Sequence, residues 1–240
     1  MKALVFLFGV ICYFAGVSGL LLMIVTSLGL LPFGLAEVSY TGAMQYVAAI
    51  GLIVLFVVQH TIMAGADFKA KLASVFPAAT ERMFFMLATG VFMWAIFLFW
   101  PNMPAVIWNV DNINLRYVLH GLNLFGWTYL LLASFAINHF ELFGLQQSWF
   151  YLSGRTVGPV PFKENLMYKF DRHPIMTGVL IGIWATPEMH MDHLLFSILV
   201  TLYIVYGVNK EEAKLRMHLG QVYSDYSRRV KSLVPVFNKG

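Results

Sequence analysis

Four runs along the chain carry no charged residue, at 4–31, 43–64, 83–100 and 117–137, and shorter polar or Gly- and Pro-bearing stretches separate them. About 20 apolar residues cross a bilayer core, so each run predicts a membrane-spanning helix. The first is long enough to cross with some tilt. It lacks the small-x-small cleavage pattern of a secretory signal, so it is expected to remain as a span. The third ends at Pro101, and the fourth runs directly into Asn138, His139 and Glu141. The following stretch, "ELFGLQQSWFYLSGRTVGPVPFKENLMYKFDR", is amphipathic, aromatic and broken by Gly and Pro. It predicts an interfacial segment, not a span. Two apolar runs at 175–186 and 194–208, each short for a crossing, flank "PEMHMDH" and together predict a helical hairpin. The last stretch is polar and helical in pattern, with Gly220 as a break.

These elements add up to an all-α integral membrane protein of about five to six transmembrane helices. It would include a C-terminal helical hairpin and a cytoplasmic C-terminal helical cap. The expected organisation is one membrane domain over 1–240, with four N-terminal spans in 1–140 and the interfacial segment, hairpin and cap in 141–240. Composition agrees: 59% of residues are hydrophobic and only 12% charged, against about 25% charged in soluble domains. The single cysteine, Cys12, excludes an internal disulfide and a cysteine-clustered metal site. It is expected to be a buried small hydrophobe, and no metal site is expected.

The formal charge of +4 calls for no nucleic-acid partner, because the basic residues flank spans. Lys2, the loop with Lys69, Lys71 and Arg82, the stretch with Arg155, Lys163, Lys169 and Arg172, and the basic tail fall on one side. Arg116 alone falls on the other. The positive-inside rule then puts both termini in the cytoplasm, with the inner membrane of a bacterium as the expected location.

Tyr168, Arg172, His173, Glu211, Glu212, Tyr223, Tyr226, Arg228 and Arg229 gather near that cytoplasmic face. A charge at membrane depth is costly unless paired or functional. The hairpin brings its ends together, so Arg172 can meet Glu211 or Glu212. Such a pair is either a snorkelling anchor for the hairpin or part of a ligand site. Pro174 suits the first turn of a helix, which leaves free backbone N–H groups near Arg172 and favours a carboxylate there.

"RHP" at 172–174, Gly178, "EE" at 211–212, "LGQVYSDYSRRV" at 219–230 and Pro235 resemble the isoprenylcysteine carboxyl methyltransferase-like superfamily, over 168–235. The resemblance implies an S-adenosylmethionine site between membrane helices and the cap. Its residues would be Tyr168, Arg172, His173, Pro174, Gly178, Glu211, Glu212, Tyr223, Tyr226 and Arg229. "QHTIMA" (59–64), "ATERMFFMLATG" (79–90), "INHFELFGLQQSWFYLSGR" (137–155), "PVPF" (159–162) and "WATPEM" (184–189) are similar to the methanethiol S-methyltransferase branch. That branch transfers a methyl group from S-adenosylmethionine to methanethiol and releases dimethyl sulfide. Two departures stand at Asp171, where a small apolar residue is common, and at Met176, where an aromatic is common. Asp171 is expected to pair with Arg172 or an arginine of the tail.

Methyl transfer to sulfur needs a thiolate. Alkyl thiols ionise less readily than a cysteine side chain, whose pKa is about 8.5. A base or a cationic stabiliser is therefore useful, and a dry pocket favours a reaction in which charge is lost. His60 and His139 are the candidate bases, His120 less so, with Asn138 fixing one imidazole. For each of these, a structural, hydrogen-bonded histidine is the alternative. His190, His193 and His218 lie elsewhere, and Trp127, Trp149 and Trp184 read as interface anchors or helix packing. Other acceptors remain open: a prenylcysteine carboxylate or a phospholipid amine. A non-enzymatic haem protein using His60, His120 and His139 is disfavoured, because His120 begins its span at the far side. A reductase with NADPH in this kind of pocket would need further spans. The oligomeric state is left open.

Overall fold

A computed structural model describes residues 1–156, 162 and 164–233. Pro159, Val160 and Pro161 of the "PVPF" motif, Lys163 and Pro235 lie outside the described residues. In chain order the elements are α1 (Lys2–Ser27), α2 (Met44–Met63), α3 (Ala66–Ala73), α4 (Glu81–Phe99), β1 (Val106–Asn109), α5 (Ile113–Ile137), α6 (His139–Leu142), α7 (Leu145–Ser153), α8 (Pro174–Trp184), β2 (Glu188–His190), α9 (Met191–Leu219) and α10 (Gln221–Arg229). Among the described residues, five helices are long and apolar enough to cross a membrane: α1, α2, α4 with the turn before it, α5 and α9. The protein is an all-α integral membrane protein. Leu4, Leu7, Ile11, Phe14 and Leu21 lie exposed along α1, as expected of a face turned to lipid.

Two compact units make up the fold: Met1–Pro104 with Asn138–Pro161, and Ala105–Ile137 with Phe162–Gly240. In the first, α1 and α4 pack backbone to backbone. A Cβ on Gly90 would stand 2.4 Å from the carbonyl oxygen of Ala15, and one on Gly19 would stand 2.9 Å from Cβ of Met93. Small residues permit this approach where lipid offers no hydrophobic drive to association. Cys12 is buried with Met83 and Met86, and Phe8, Phe85 and Phe143 pack around them.

The second unit uses the same device. On α8, Gly178 faces Gly126 and Leu130 of α5, and Gly182 lies against the Trp127 ring. The amide of Asn123 donates to the Gly182 carbonyl at 2.7 Å. Trp127 is thus a packing residue, and Trp184 donates its indole N–H to Thr201 Oγ1 at 2.9 Å.

The hairpin differs from expectation in its second arm. The sequence pattern ends that arm at 208, but α9 continues unbroken through Lys210, Glu211 and Glu212 to Leu219. Lys, Glu, Ala, Leu and Arg are all strong helix formers, so the helix persists after hydrophobicity ends. Its 29 residues span about 43 Å, more than the hydrocarbon core, while α8 at 11 residues reaches only about 16 Å. A short antiparallel ribbon also joins β1 to β2, fastened by the Trp108 indole donating to the Thr186 carbonyl at 3.1 Å. Strands this short carry no alternation to read. The fourth span starts before 117 because the Asn112 side chain accepts from the backbone N–H groups of Asn114 and Leu115, capping α5.

Candidate active site

On the second unit, Asp171 sets up the start of α8. Its carboxylate accepts from the backbone N–H of His173 at 2.9 Å and from the Thr177 hydroxyl at 2.5 Å. The expected pairing of Asp171 with an arginine is not formed. The carboxylate folds back onto its own helix start, as Asx turns do. Burial raises its pKa, against the pull of those hydrogen bonds.

Arg172 points the other way. Nε and Nη2 both reach Glu212 Oε1 at 2.8 Å. Nη1 donates to the carbonyls of Ser227 (3.0 Å) and Val230 (2.5 Å), and the backbone N–H donates to Lys231 O at 2.8 Å. One side chain therefore joins α9 to the otherwise unsatisfied carbonyls ending α10. Of the two candidate carboxylates, Glu212 takes the arginine. It also contacts His173 Nε2 at 3.1 Å and Arg216 Nη2 at 3.0 Å, while Glu211 Oε2 stands 3.6 Å from His173 Nδ1.

Gly220, at φ +55°, turns the chain between α9 and α10, a conformation that suits glycine. Tyr223, Tyr226 and Val230 then pack on Phe162, Leu215 and Leu219. Tyr226 donates to the Tyr168 carbonyl at 2.7 Å. The buried Tyr223 hydroxyl has no hydrogen-bond partner among the described residues. Burial, then the Glu212 charge, pushes its pKa up to about 12, so it stays protonated. Arg229 pairs with Glu164 at 3.2 Å in solvent, and Gly178 serves the contact with α5.

His173 lies between two carboxylates. Burial works against its charged form, but the hydrogen bonds and charges of Glu211 and Glu212 outweigh it and push the pKa up to about 9. The folded value exceeds the ordinary value of about 6.5. The stabilisation is therefore complete below that pH and drains away as pH rises through about 9. Thermal unfolding in detergent should show Tm falling across this window, with a flatter profile in His173→Gln. An equal slope in the variant would refute the assignment.

The first unit holds a different cluster. His139 Nε2 lies 3.0 Å from the Tyr13 hydroxyl, and its ring stacks on Phe143 at 4.6 Å. Asn138 does not hold an imidazole. Its amide N–H groups go to Glu141 Oε2 (3.1 Å) and Gln146 Oε1 (2.5 Å), and its Oδ1 accepts from the Glu141 backbone. It is a helix N-cap, with its donors used locally. The His60 ring meets Phe85 edge-on at 4.7 Å. Arg82 lies over the same Phe85 ring at 5.5 Å and donates from Nε to the Leu142 carbonyl at 2.9 Å. His120 stands exposed on α5 in the other unit.

The chain is 33% identical over 244 residues to a methanethiol S-methyltransferase of Crocosphaera subtropica, covering 99% of this chain and 94% of that one. It is 40% identical over 184 residues to a methanethiol S-methyltransferase of Mycobacterium tuberculosis, covering 77% and 75% of the two chains. Identity is also 40% over 188 residues to one from a Pseudomonas species, covering 78% and 72%. The chain belongs to the methanethiol S-methyltransferase family. No family model and no solved structure gives a significant match.

In this member of the methanethiol S-methyltransferase family, sequence reasoning passed over Tyr13 and Arg82. Tyr13 is one aromatic in an apolar run, and its partner His139 lies 126 residues away. Arg82 read only as a loop charge. The signal that could have found it is a cation placed directly before an uncharged run, where depth makes charge expensive.

Proposed function

We propose that the chain is a membrane enzyme that transfers the methyl group of S-adenosylmethionine to methanethiol and releases dimethyl sulfide. Alignment with the Crocosphaera protein along 99% of the chain carries this reading. The residues of the second unit suit the methyl donor's charges. The buried Tyr223 hydroxyl has no hydrogen-bond partner among the described residues, and a buried donor in that state favours a ligand acceptor such as a carboxylate. The half-exposed Glu211 carboxylate offers a counter-charge to an ammonium group. Tyr168, His173, Glu211 and Tyr223 would hold the donor, which supplies a methyl group on a positively charged sulfur. Arg172, Glu212 and Tyr226 shape the site by fixing the cap. His60 or His139 takes the thiol proton, worth about 10²–10⁴-fold as a general base. Both termini face the cytoplasm, which an impermeant thiol reagent tests: a Ser39→Cys variant in a Cys12-free background should label in intact cells.

Supplying labelled S-adenosylmethionine with a panel of thiols tests the activity. Methanethiol should give labelled volatile product. Ethanethiol should be a slower substrate, since one methylene is worth about 1–3 kcal/mol of discrimination, and prenylated cysteines should be inert. Labelling of a prenylcysteine or phospholipid, with none of methanethiol, would overturn the proposal.

A further inference from the structure

Arg82 is a half-buried cation at the start of an apolar helix, and no carboxylate among the described residues is in direct contact with it. Two carboxylates act on it electrostatically, Glu81 and Glu141. Glu81 is bound to Lys69 at 2.9 Å, and Glu141 accepts from the Asn138 amide at 3.1 Å. No carboxylate lies within 4.0 Å of Arg82 among the described residues, and Nε to Leu142 O is its only hydrogen bond there. Its four Nη hydrogens are thus available. Nearby, Thr80 turns its hydroxyl to the Pro77 carbonyl at 2.8 Å instead of capping α4. The start of α4 thus carries no side-chain cap, with Glu81 in its first turn.

The same cation has both candidate bases around it. His60 shares the Phe85 ring with it. His139 begins the short helix α6, whose last residue, Leu142, supplies the carbonyl that holds Nε. A half-buried cation packed over Phe85, with no carboxylate within 4.0 Å among the described residues, is costly to maintain for structure alone. It is matched to a small, soft anion that arrives with the substrate.

We propose that Arg82 binds the thiolate form of the acceptor and makes it available at neutral pH. This rests on the methyltransferase reading above. The thiol proton passes to His60, leaving a thiolate beside the guanidinium, which cannot itself accept a proton. The thiolate's lone pair then forms the new sulfur–carbon bond. The bond between that carbon and the donor's sulfur breaks, and its electron pair stays on the donor sulfur. Arg82 holds a full anion before transfer and a neutral sulfide after it, so the product leaves without an ionic tether.

The test compares wild type, Arg82→Gln and Arg82→Lys for methanethiol methylation from about pH 6.5 to about pH 10. Arg82→Gln keeps an N–H for the Leu142 carbonyl but carries no charge. It should lose about tenfold to a hundredfold in kcat/KM at neutral pH and recover most of that at alkaline pH, where thiolate forms unaided. Arg82→Lys keeps the charge and should follow the wild-type pH profile. Cofactor affinity, measured by calorimetry, should match wild type in both variants. The proposal fails if Arg82→Gln equals wild type at neutral pH, if its loss is the same at every pH, or if both variants lose cofactor affinity. The last two outcomes would make Arg82 an anchor for α6. A wild-type protein that methylates no thiol would instead remove the proposed function itself.

Discussion

Replacing Glu212 by alanine should release the C-terminal cap and abolish capture of the methyl donor while leaving the spans inserted. Glu212 is the shared acceptor for Arg172, His173 and Arg216, and Arg172 in turn holds the end of α10. Removing its carboxylate leaves the largely buried Arg172 with no carboxylate within 4.0 Å among the described residues, and leaves His173 with Glu211 alone, at 3.6 Å. Breaking one side of a buried pair costs about 3–5 kcal/mol, or roughly two to four decades in an equilibrium constant. Limited proteolysis should cut the Glu212→Ala chain near Gly220 at protease levels the wild type resists, and calorimetry should detect no donor binding. Glu211→Ala is the internal comparison. Its carboxylate is half exposed and stands 3.6 Å from His173, so the cap should stay closed and only donor affinity should fall. Wild-type protection and affinity in Glu212→Ala would refute this account.

Gly178→Ala should be the most damaging single-methyl change in the second unit. A Cβ there would lie 2.6 Å from the Gly126 carbonyl oxygen and 2.8 Å from the Leu130 backbone nitrogen. Both contacts are to the helix backbone, so no rotamer change relieves them. Overpacking of this kind costs about 1–3 kcal/mol or more, and here it would part α8 from α5 and strain the Asn123 bond to Gly182. The variant should show a Tm in detergent lower by several degrees and a broadened elution profile. Gly207→Ala on α9 is the control, since a Cβ there meets nothing within 4 Å. It should be neutral or slightly stabilising, because alanine favours helix over glycine by about 1 kcal/mol. Equal stability of the two variants would sink the packing argument.

Hydrophobic runs made most of the spans legible, because the bilayer leaves few ways to satisfy a backbone. The meeting of Arg172 with a carboxylate after the second arm was legible too, since a hairpin returns its ends to one level. Which carboxylate was not legible. Glu211 and Glu212 are adjacent in sequence, and only the rotation of α9 about its axis buries one and exposes the other. Asp171 misled through charge: it looked like an ion-pair partner, yet its short side chain is used up by its own helix start. Gly178 belonged to a motif, but the motif could not say that its missing side chain accommodates a neighbouring helix. Tyr13 and Arg82 stayed hidden because their partners lie 126 and 60 residues away, and no local pattern encodes a distant contact.

The way Arg172 is held has a consequence for the order in which the protein is made. Its side chain needs Glu212 at one end and the carbonyls of Ser227 and Val230 at the other, and its own N–H needs Lys231. The full set is complete only once Lys231 has been synthesised, about 60 residues after Arg172 itself. Closing a loop of that size carries an entropic cost that no single bond repays, so the contacts must form together. The spans can therefore enter the lipid while the donor-binding groups are still apart. The cap closes as a final concerted event, and a nascent chain interrupted before Lys231 would be membrane-inserted yet unable to bind the donor.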